Sequence, residues 1–257
     1  MKPSGSKKLS KDEMEELHTT LGTLAANPNY EVWVMSARPL DNLRQVFGEV
    51  PNLRLAGSYG VELGSAGGSD AHRIVEIPEI EALRSHVQDV FNYPNVFRPK
   101  DSSFSVSFGY EGSKTLNEEK VEELLSSVRT YILEHQLEFE VSHKPDTQWV
   151  DVKSSKANKE TGARYILDRA FSRGISFGDE PADEGMHKAM NELGFWSVVV
   201  GPNTHGSAAT HKLPSYVETN EFLKEWANSL SLWKAVANLL LRLVLSKLAY
   251  SVEFCIA

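Results

Sequence analysis

The sequence is poor in cysteine and has no excess of basic residues. Cys255 is the only cysteine among 257 residues, which excludes an intramolecular disulfide framework and a cysteine-based zinc cluster. Lys and Arg number 27 against 35 Asp and Glu, so the formal charge is −8. A face that neutralises nucleic-acid phosphates needs clustered Lys and Arg, and the acidic balance therefore argues against a nucleic-acid partner.

A secretory signal is also absent, because the polar and basic N-terminus contains no apolar stretch of the required kind. We therefore expect a reducing, cytoplasmic setting. The composition that is present, 41% hydrophobic and 24% charged, is typical of a globular protein and excludes wholesale disorder. A chain of this length can bury one large α/β core, alone or with a smaller insert.

The chain alternates helix and strand patterns at both ends. Near the N-terminus it predicts a helix over 10–25, a buried strand over 30–36, a helix after Pro39 and a strand over 53–56. After residue 158 the alternation resumes with helices over 158–172, 183–193 and 216–230 and strands over 174–178 and 195–200. This order predicts a parallel sheet with helical crossovers.

A different rhythm interrupts the alternation between a Gly- and Ser-rich loop at 64–69 and residue 154. It predicts helices over 80–92 and 115–135, half-buried strands over 103–108 and 137–142, and a further strand over 147–153. We therefore expect core residues 1–77, a small α+β insert over 78–154, and further core residues 155–230.

The last 27 residues, 231–257, form an apolar tail with few charges. A polar residue every fourth position predicts an amphipathic helix, which packs on the domain or, alternatively, binds a membrane surface or a partner. A transmembrane span is not expected, because the longest uncharged run is well short of about 18 residues.

The most informative segment is the acidic turn FGDEPADEG at 177–185. A buried strand delivers Asp179, Glu180, Asp183 and Glu184 into one strand-to-helix turn. Carboxylates this close repel one another unless a cation or a basic group lies among them, and such turns at the carboxyl end of a parallel strand bind Mg²⁺. The alternative is an ordinary acidic helix N-terminus, which the helix dipole favours.

Three further residues are candidates for phosphate binding. Ser36 and Arg38 follow a buried strand, where a hydroxyl and helix N-terminal amides can hold a phosphoryl oxygen. Lys159 begins a helix that reaches the same sheet edge and can neutralise a phosphate. The alternatives are a plain helix cap for Ser36 and a solvated charge for Lys159.

Together these segments resemble the trehalose-6-phosphate phosphatase family of the haloacid-dehalogenase (HAD) superfamily over roughly residues 10–230. The family's V-S-G-R resembles MSAR at 35–38, its A-x-H-G resembles GSYG at 57–60, and its V-E-V-R-P resembles VDVKS at 150–154. Its G-D-D-x-x-D-E is similar to GDEPADE at 178–184, with Lys159 as the conserved lysine.

The resemblance implies an α/β fold, a Rossmann-like HAD core with an inserted, mobile α+β cap. It implies transfer of the phosphoryl group of trehalose 6-phosphate to an aspartate, with Mg²⁺ neutralising the developing charge. The implied metal ligands are Asp179, Glu180 and Asp183. The implied cap residues that contact substrate are Lys144 (the lysine before Pro145), Asp151 and Lys153.

The sequence departs from this family at the nucleophile. The family's D-x-D-G-T occurs nowhere in the 257 residues, so both the attacking aspartate and the acid/base aspartate are absent. We also expect the first strand of the core to be missing from between the strands at 30–36 and 174–178. Three outcomes are then possible. Another segment, such as 251–257, takes the place of this strand, the two neighbouring strands close the gap, or the sequence is truncated.

Other departures affect the expected substrate contacts. Tyr59 stands where the family has His, Glu160 follows the lysine where it has Gly, and the family's His-Tyr-Arg step in the cap reads SFG at 107–109. These changes favour a catalytically impaired or regulatory domain of trehalose biosynthesis with weak Mg²⁺ binding, resembling the phosphatase-like domains of trehalose synthase complexes. Its partners would be trehalose 6-phosphate and synthase-complex subunits.

Two alternatives remain. One is an active Mg²⁺-dependent trehalose-6-phosphate phosphatase whose nucleophile strand is missing from this sequence. The other is an unrelated sugar-phosphate phosphatase of the same superfamily, which shares the core and differs in the cap.

Overall fold

The computed structural model describes residues 9–96, 102–169, 171–202 and 206–230. The helices in these ranges are α1 Lys11–Ala25, α2 Leu40–Phe47, α3 Ile80–Val90, α4 Glu118–Glu134, α5 Lys159–Leu167, α6 Glu184–Glu192 and α7 over 216–230. The strands are β1 Trp33–Met35, β2 Arg54–Gly57, β3 Glu62–Ser65, β4 His72–Arg73, β5 Ser105–Gly109, β6 Phe139–Lys144, β7 Trp149–Ser154, β8 Ile175–Gly178, β9 Trp196–Val200 and β10 His211–Leu213.

The helix boundaries follow local signals in the sequence. Ser10 and Glu13 form the predicted capping box at the start of α1. Asn117 and Asn158 each accept a hydrogen bond from a backbone amide in the first turn of α4 and α5. These contacts satisfy amide donors that a helix N-terminus otherwise leaves without a partner.

Two separate sheets make up the part outside the predicted insert. One has the order β1-β2-β3-β4, in which β1 and β2 are parallel, while β3 pairs antiparallel with both β2 and β4. The other is parallel, in the order β10-β9-β8. The antiparallel strand β3 corrects the sequence prediction, which placed a loop at 64–69 and an all-parallel pattern before it.

Within the described ranges, β1 and β8 do not pair with each other or through a strand between them. Each has one edge that is not hydrogen-bonded to another described strand. The sheet therefore does not close up by pairing β1 with β8. The proposed filler strand at 251–257, like the whole tail 231–257, lies outside the described residues. Within those residues, no helix has the length and apolar character needed to cross a membrane.

The antiparallel sheet β5-β7-β6 is backed by α3 and α4. Along β7 the buried residues Val150, Val152 and Ser154 alternate with Trp149, Asp151 and Lys153, which are only partly buried. The predicted stripe of α4 supplies Val121, Leu125, Val128 and Ile132 to the same hydrophobic cluster. One face of this sheet is thus apolar and packed, and the other is polar and open. We call this unit the cap.

Candidate functional site

The end of β1 places Ser36 and Arg38 at one edge of the first sheet. The Ser36 hydroxyl accepts a hydrogen bond from the Arg38 amide at 3.2 Å. The N-cap position of α2 is Pro39, without a side-chain capping bond, so Ser36 is not the helix cap that the alternative interpretation expected. Arg38 is exposed, and its guanidinium has no ion-pair partner within the described ranges. It remains available to an anion.

The acidic turn follows β8 and does not hold its four carboxylates together. Asp179 and Glu180 are exposed, whereas Asp183 is buried, and its Oδ2 accepts from the amides of Asp179 at 3.1 Å and Glu180 at 3.0 Å. Glu184 turns away and accepts hydrogen bonds from the Ser207 hydroxyl and the Ala208 amide. Separation and hydrogen bonding thus relieve much of the expected repulsion.

Lys159 supplies the basic group expected in this turn. Its Nζ lies 2.5 Å from Oδ1 of Asp183, and the two side chains are 10% and 5% exposed. A buried ion pair is stabilising only when further hydrogen bonds satisfy the carboxylate, and the two amides on Oδ2 do so here. Lys159 is therefore a buried structural cation and not the solvated charge of the alternative interpretation.

A metal site with three ligands is not assembled in the described part of the chain. No group of three or more His, Cys, Asp or Glu residues there has an arrangement that could hold a metal ion. Asp183 is occupied by Lys159 and two amides, which leaves the exposed carboxylates of Asp179 and Glu180. Because Mg²⁺ requires near-octahedral oxygen coordination, this donor set is incomplete.

A strained turn connects β2 to β3. Ser58 and Tyr59 have φ angles of 51° and 60°, a left-handed conformation that costs roughly 1–3 kcal/mol for a residue other than glycine. Three contacts hold the turn: the Ser58 amide donates to Arg38 O, the Tyr59 amide donates to Ser36 O, and the Ser58 hydroxyl donates to Glu62. The surrounding structure thereby fixes the direction of the Tyr59 phenol.

The phenol of Tyr59 reaches the open face of the cap. Its hydroxyl donates to Oδ2 of Asp151 at 3.1 Å, and Oδ1 of the same carboxylate accepts from the Ser107 hydroxyl at 2.6 Å. The ammonium of Lys153 lies 4.6 Å from the centre of the Tyr59 ring. Burial, and then the negative charges of Asp151 and Glu180, raise the pKa of Tyr59, so the phenol is protonated at neutral pH.

Asp151 and Lys153 share the open face of the cap with Lys144. Within the β6–β7 pair, Lys144 is opposite Trp149, while Ser142 is opposite Asp151, so these side chains point to one side of the sheet. Lys144 is exposed at the far end of the face, whereas Asp151 and Lys153 contact Tyr59. The face carries cationic, anionic and hydroxyl groups, a combination suited to a polar ligand.

The strained turn also packs against α5. Added to Gly162, a Cβ atom would lie 2.5 Å from the carbonyl oxygen of Gly60, and Met35 borders Gly60 from β1. The end of β1 thus contacts the strained turn, the strained turn contacts the start of α5, and α5 contacts the acidic turn through Lys159. Within the described ranges, no direct hydrogen bond or ion pair joins Ser36 or Arg38 to Lys159 or Asp179.

Two features of the site were missed by the sequence analysis. Tyr59 was noted only as a replacement for a histidine, although its contact bridges the core and the cap. His187 was not considered; it is fully buried on α6, its two ring nitrogens have no hydrogen-bond partner in the described part, and burial lowers its pKa. Neither feature follows from a residue pattern, because the Tyr59 contact and the burial of His187 both depend on segments distant in the sequence.

Comparisons with known proteins relate this geometry to one family. The trehalose-phosphatase family model matches residues 1–219. A probable trehalose-phosphate phosphatase of Sinorhizobium fredii is 25% identical over an alignment of 194 positions, which covers 71% of this chain and 67% of the relative.

Solved structures share the fold. A trehalose-6-phosphate phosphatase of Aspergillus fumigatus superposes with a TM-score of 0.63 at 19% identity, over 86% of this chain and 87% of the other. The C-terminal domain of a Candida albicans trehalose synthase regulatory protein gives 0.62 at 14% identity, over 82% and 87%. A haloacid dehalogenase-like hydrolase of Bacteroides thetaiotaomicron gives 0.59 at 11% identity, over 82% and 91%. The predicted HAD-like α/β fold is confirmed.

Proposed function

Because the chain belongs to the trehalose-phosphatase family, we propose that it binds trehalose 6-phosphate between the first-sheet edge and the cap and hydrolyses it slowly or not at all. In this proposal Ser36 and Arg38 bind the phosphate, and Lys159, the third predicted phosphate-binding residue, contributes only the positive charge that its pairing with Asp183 leaves. The sugar end is the open face of the cap, with Lys144, Asp151 and Lys153.

The observation that carries the proposal is the pairing of Lys159 with Asp183. Phosphoryl transfer depends on positive charge that meets the transferring group and on an oriented nucleophile. Here the buried ammonium already shares its charge with a carboxylate at 2.5 Å, and D-x-D-G-T does not occur in the sequence. The unpaired guanidinium of Arg38 still supports phosphate binding, so binding without efficient turnover fits the residues present.

Family membership implies a divalent metal, Mg²⁺ in our proposal. When bound, such an ion supplies charge stabilisation to a phosphoryl group. The carboxylates open to it are Asp179 and Glu180, with Asp183 as the third group of the turn, held by Lys159 and the two amides. Since this donor set is incomplete, we expect the ion to bind weakly.

A second candidate function is that of an active Mg²⁺-dependent trehalose-6-phosphate phosphatase. The observation that favours it is the open edge on each of β1 and β8 within the described ranges. A strand inserted between these edges would gain backbone hydrogen bonds on both sides and could bring an aspartate to the ends of both strands. This candidate requires a nucleophile that the 257 residues do not present in the family's motif.

A regulatory role within a trehalose synthase complex belongs to the first proposal. Its support is the fold shared with the regulatory-protein domain of C. albicans. A domain that binds trehalose 6-phosphate without consuming it would report the level of this metabolite to bound subunits.

Phosphate release and ligand binding, measured on the same preparation, test the proposal. We expect isothermal titration to detect trehalose 6-phosphate binding, and phosphate release to be no greater with Mg²⁺ than without it. The Arg38→Ala variant should weaken binding about tenfold, because a charge-assisted phosphate contact is lost. Arg54→Ala, a change at an exposed arginine of β2, is the control.

Mg²⁺-dependent turnover that Asp179→Asn abolishes would instead establish the active enzyme. The absence of binding by a folded protein would contradict both candidates.

A further inference from the structure

The contact between Tyr59 and Asp151 crosses the cleft in which the substrate is proposed to bind. Tyr59 belongs to the turn between β2 and β3, and Asp151 lies on the central strand of the cap sheet. Their oxygen atoms are 3.1 Å apart. Nothing as thick as a sugar ring can lie between two atoms in hydrogen-bond contact, so the cleft is closed at this point.

The core side of the contact is held rigidly. The left-handed backbone at Ser58 and Tyr59 is maintained by hydrogen bonds to the backbone oxygens of Ser36 and Arg38. A bulky residue in this conformation is an outlier that persists only where neighbouring contacts enforce it. The phenol therefore projects from the core at a set position, and the cap must approach it to form the bond.

On the cap side, two of the three groups proposed to contact a sugar phosphate, Asp151 and Lys153, are already engaged, and the third, Lys144, is exposed at the far end of the face. The oxygens of Asp151 accept from Tyr59 and Ser107, and Lys153 lies over the Tyr59 ring and 3.6 Å from Glu140. Tyr59 thus offers the cap a hydroxyl donor and an aromatic face. A sugar phosphate would offer hydroxyl donors to the same carboxylate and an anion to the same ammonium.

We infer that Tyr59 is an internal competitor for the cap, so that a phosphorylated sugar binds only after it displaces the phenol from Asp151 and Lys153. Tyr59 then sets the affinity of the cleft for its ligand. This inference rests on the proposed function, because it takes the polar face of the cap as the sugar subsite.

The test compares trehalose 6-phosphate binding by the full chain, Tyr59→Phe and Tyr165→Phe, using isothermal titration. Tyr59→Phe retains the ring and removes the bond to Asp151. Tyr165→Phe is the matched control, because Tyr165 loses a comparable hydroxyl contact, 2.9 Å to His72, outside the cleft. We expect Tyr59→Phe to bind about tenfold more tightly than the unmodified chain, and Tyr165→Phe to bind equally.

A gain in affinity cannot result from a damaged fold, which makes this outcome specific. Equal or weaker binding by Tyr59→Phe, with measurable binding by the unmodified chain, would overturn the inference and leave the proposed function intact.

If neither protein binds, the proposed function fails, and hydrogen exchange without ligand decides whether Tyr59 couples the two units. Faster exchange in β7 of Tyr59→Phe than of Tyr165→Phe would support the coupling, and identical exchange would overturn it.

Discussion

At the residue scale, the Lys159–Asp183 pair determines how the acidic turn is built. The carboxylate receives one ammonium and two backbone amides, so the charge of the turn is balanced inside the protein. Gly178 allows this arrangement, because a Cβ there would lie 2.5 Å from Cβ of Asp183. The turn is thus a hydrogen-bonded unit whose exposed carboxylates are Asp179 and Glu180.

Lys159→Met should lower the free energy of unfolding by about 3–5 kcal/mol, because it leaves a buried carboxylate without its counter-charge. Urea denaturation measures the change. Lys224→Met is the control: its partner Glu16 is half-exposed, and the loss should stay below about 1 kcal/mol. Equal effects of the two variants would show that Lys159 does not stabilise the buried carboxylate.

At the element scale, the start of α5 is fixed by a close backbone approach. Gly162 faces Gly60 in the strained turn, where a side chain would meet a carbonyl oxygen at 2.5 Å. A β-carbon essentially never comes so close to a backbone atom, so either the helix or the turn would have to move.

Gly162→Ala should therefore destabilise the protein by about 1–3 kcal/mol, although alanine is the better helix former. The control is Gly22→Ala in α1, where the nearest atom would be at 3.7 Å and the gain in helix propensity should stabilise by up to about 1 kcal/mol. Thermal or urea unfolding compares the two variants. Stabilisation by both would contradict the close approach.

Within the cap, α4 and β6 are joined by a chain of polar contacts that runs from the buried His143 to the partly exposed Glu122 and Arg129. His143 bonds with Tyr110 at 2.7 Å and with Glu122 at 2.6 Å, and Arg129 bonds with the other oxygen of Glu122. The hydrogen bonds from His143 and Arg129 hold the pKa of Glu122 below its usual range. The ionised carboxylate therefore stabilises the folded cap at neutral pH.

This stabilisation should disappear as the pH falls through the lowered pKa of Glu122, since the unfolded chain takes up the proton first. Glu122→Gln should accordingly lose less stability than the unmodified chain between about pH 7 and about pH 3.5. Urea denaturation at both pH values gives the difference. Glu119→Gln, at an exposed position of the same helix, should retain the full acid sensitivity. Identical acid sensitivity of Glu122→Gln would refute the linkage.

At the scale of the whole molecule, a ligand that binds only the folded protein raises its free energy of unfolding. A Mg²⁺ site with a dissociation constant of about 10 mM stabilises by about 0.4 kcal/mol at that concentration, or about 1 °C in Tm for a chain of this size. We expect no larger shift from 10 mM MgCl₂, and Asp179→Asn should remove it. A shift of several degrees would show that the carboxylates form a complete site.

Residue patterns predicted much of the fold of this protein. The capping box of α1, the apolar stripe of α4 and the alternation along β6 could be predicted, because each depends on neighbours within a few residues. The acidic turn and the resemblance of MSAR at 35–38 to the family's V-S-G-R could be recognised for the same reason. Strands β3, β4 and β10 were missed, since short strands are defined by pairing with partners more than by their own periodicity.

The sequence by itself determined the class of fold and the family. Only the tertiary structure decided that Lys159 pairs with Asp183 and that Tyr59 donates a hydrogen bond to Asp151 of the cap. The reason is physical: periodicity and capping arise from local backbone geometry, whereas these contacts join residues 24 to 92 positions apart. Burial and charge at such contacts depend on packing that no local pattern records.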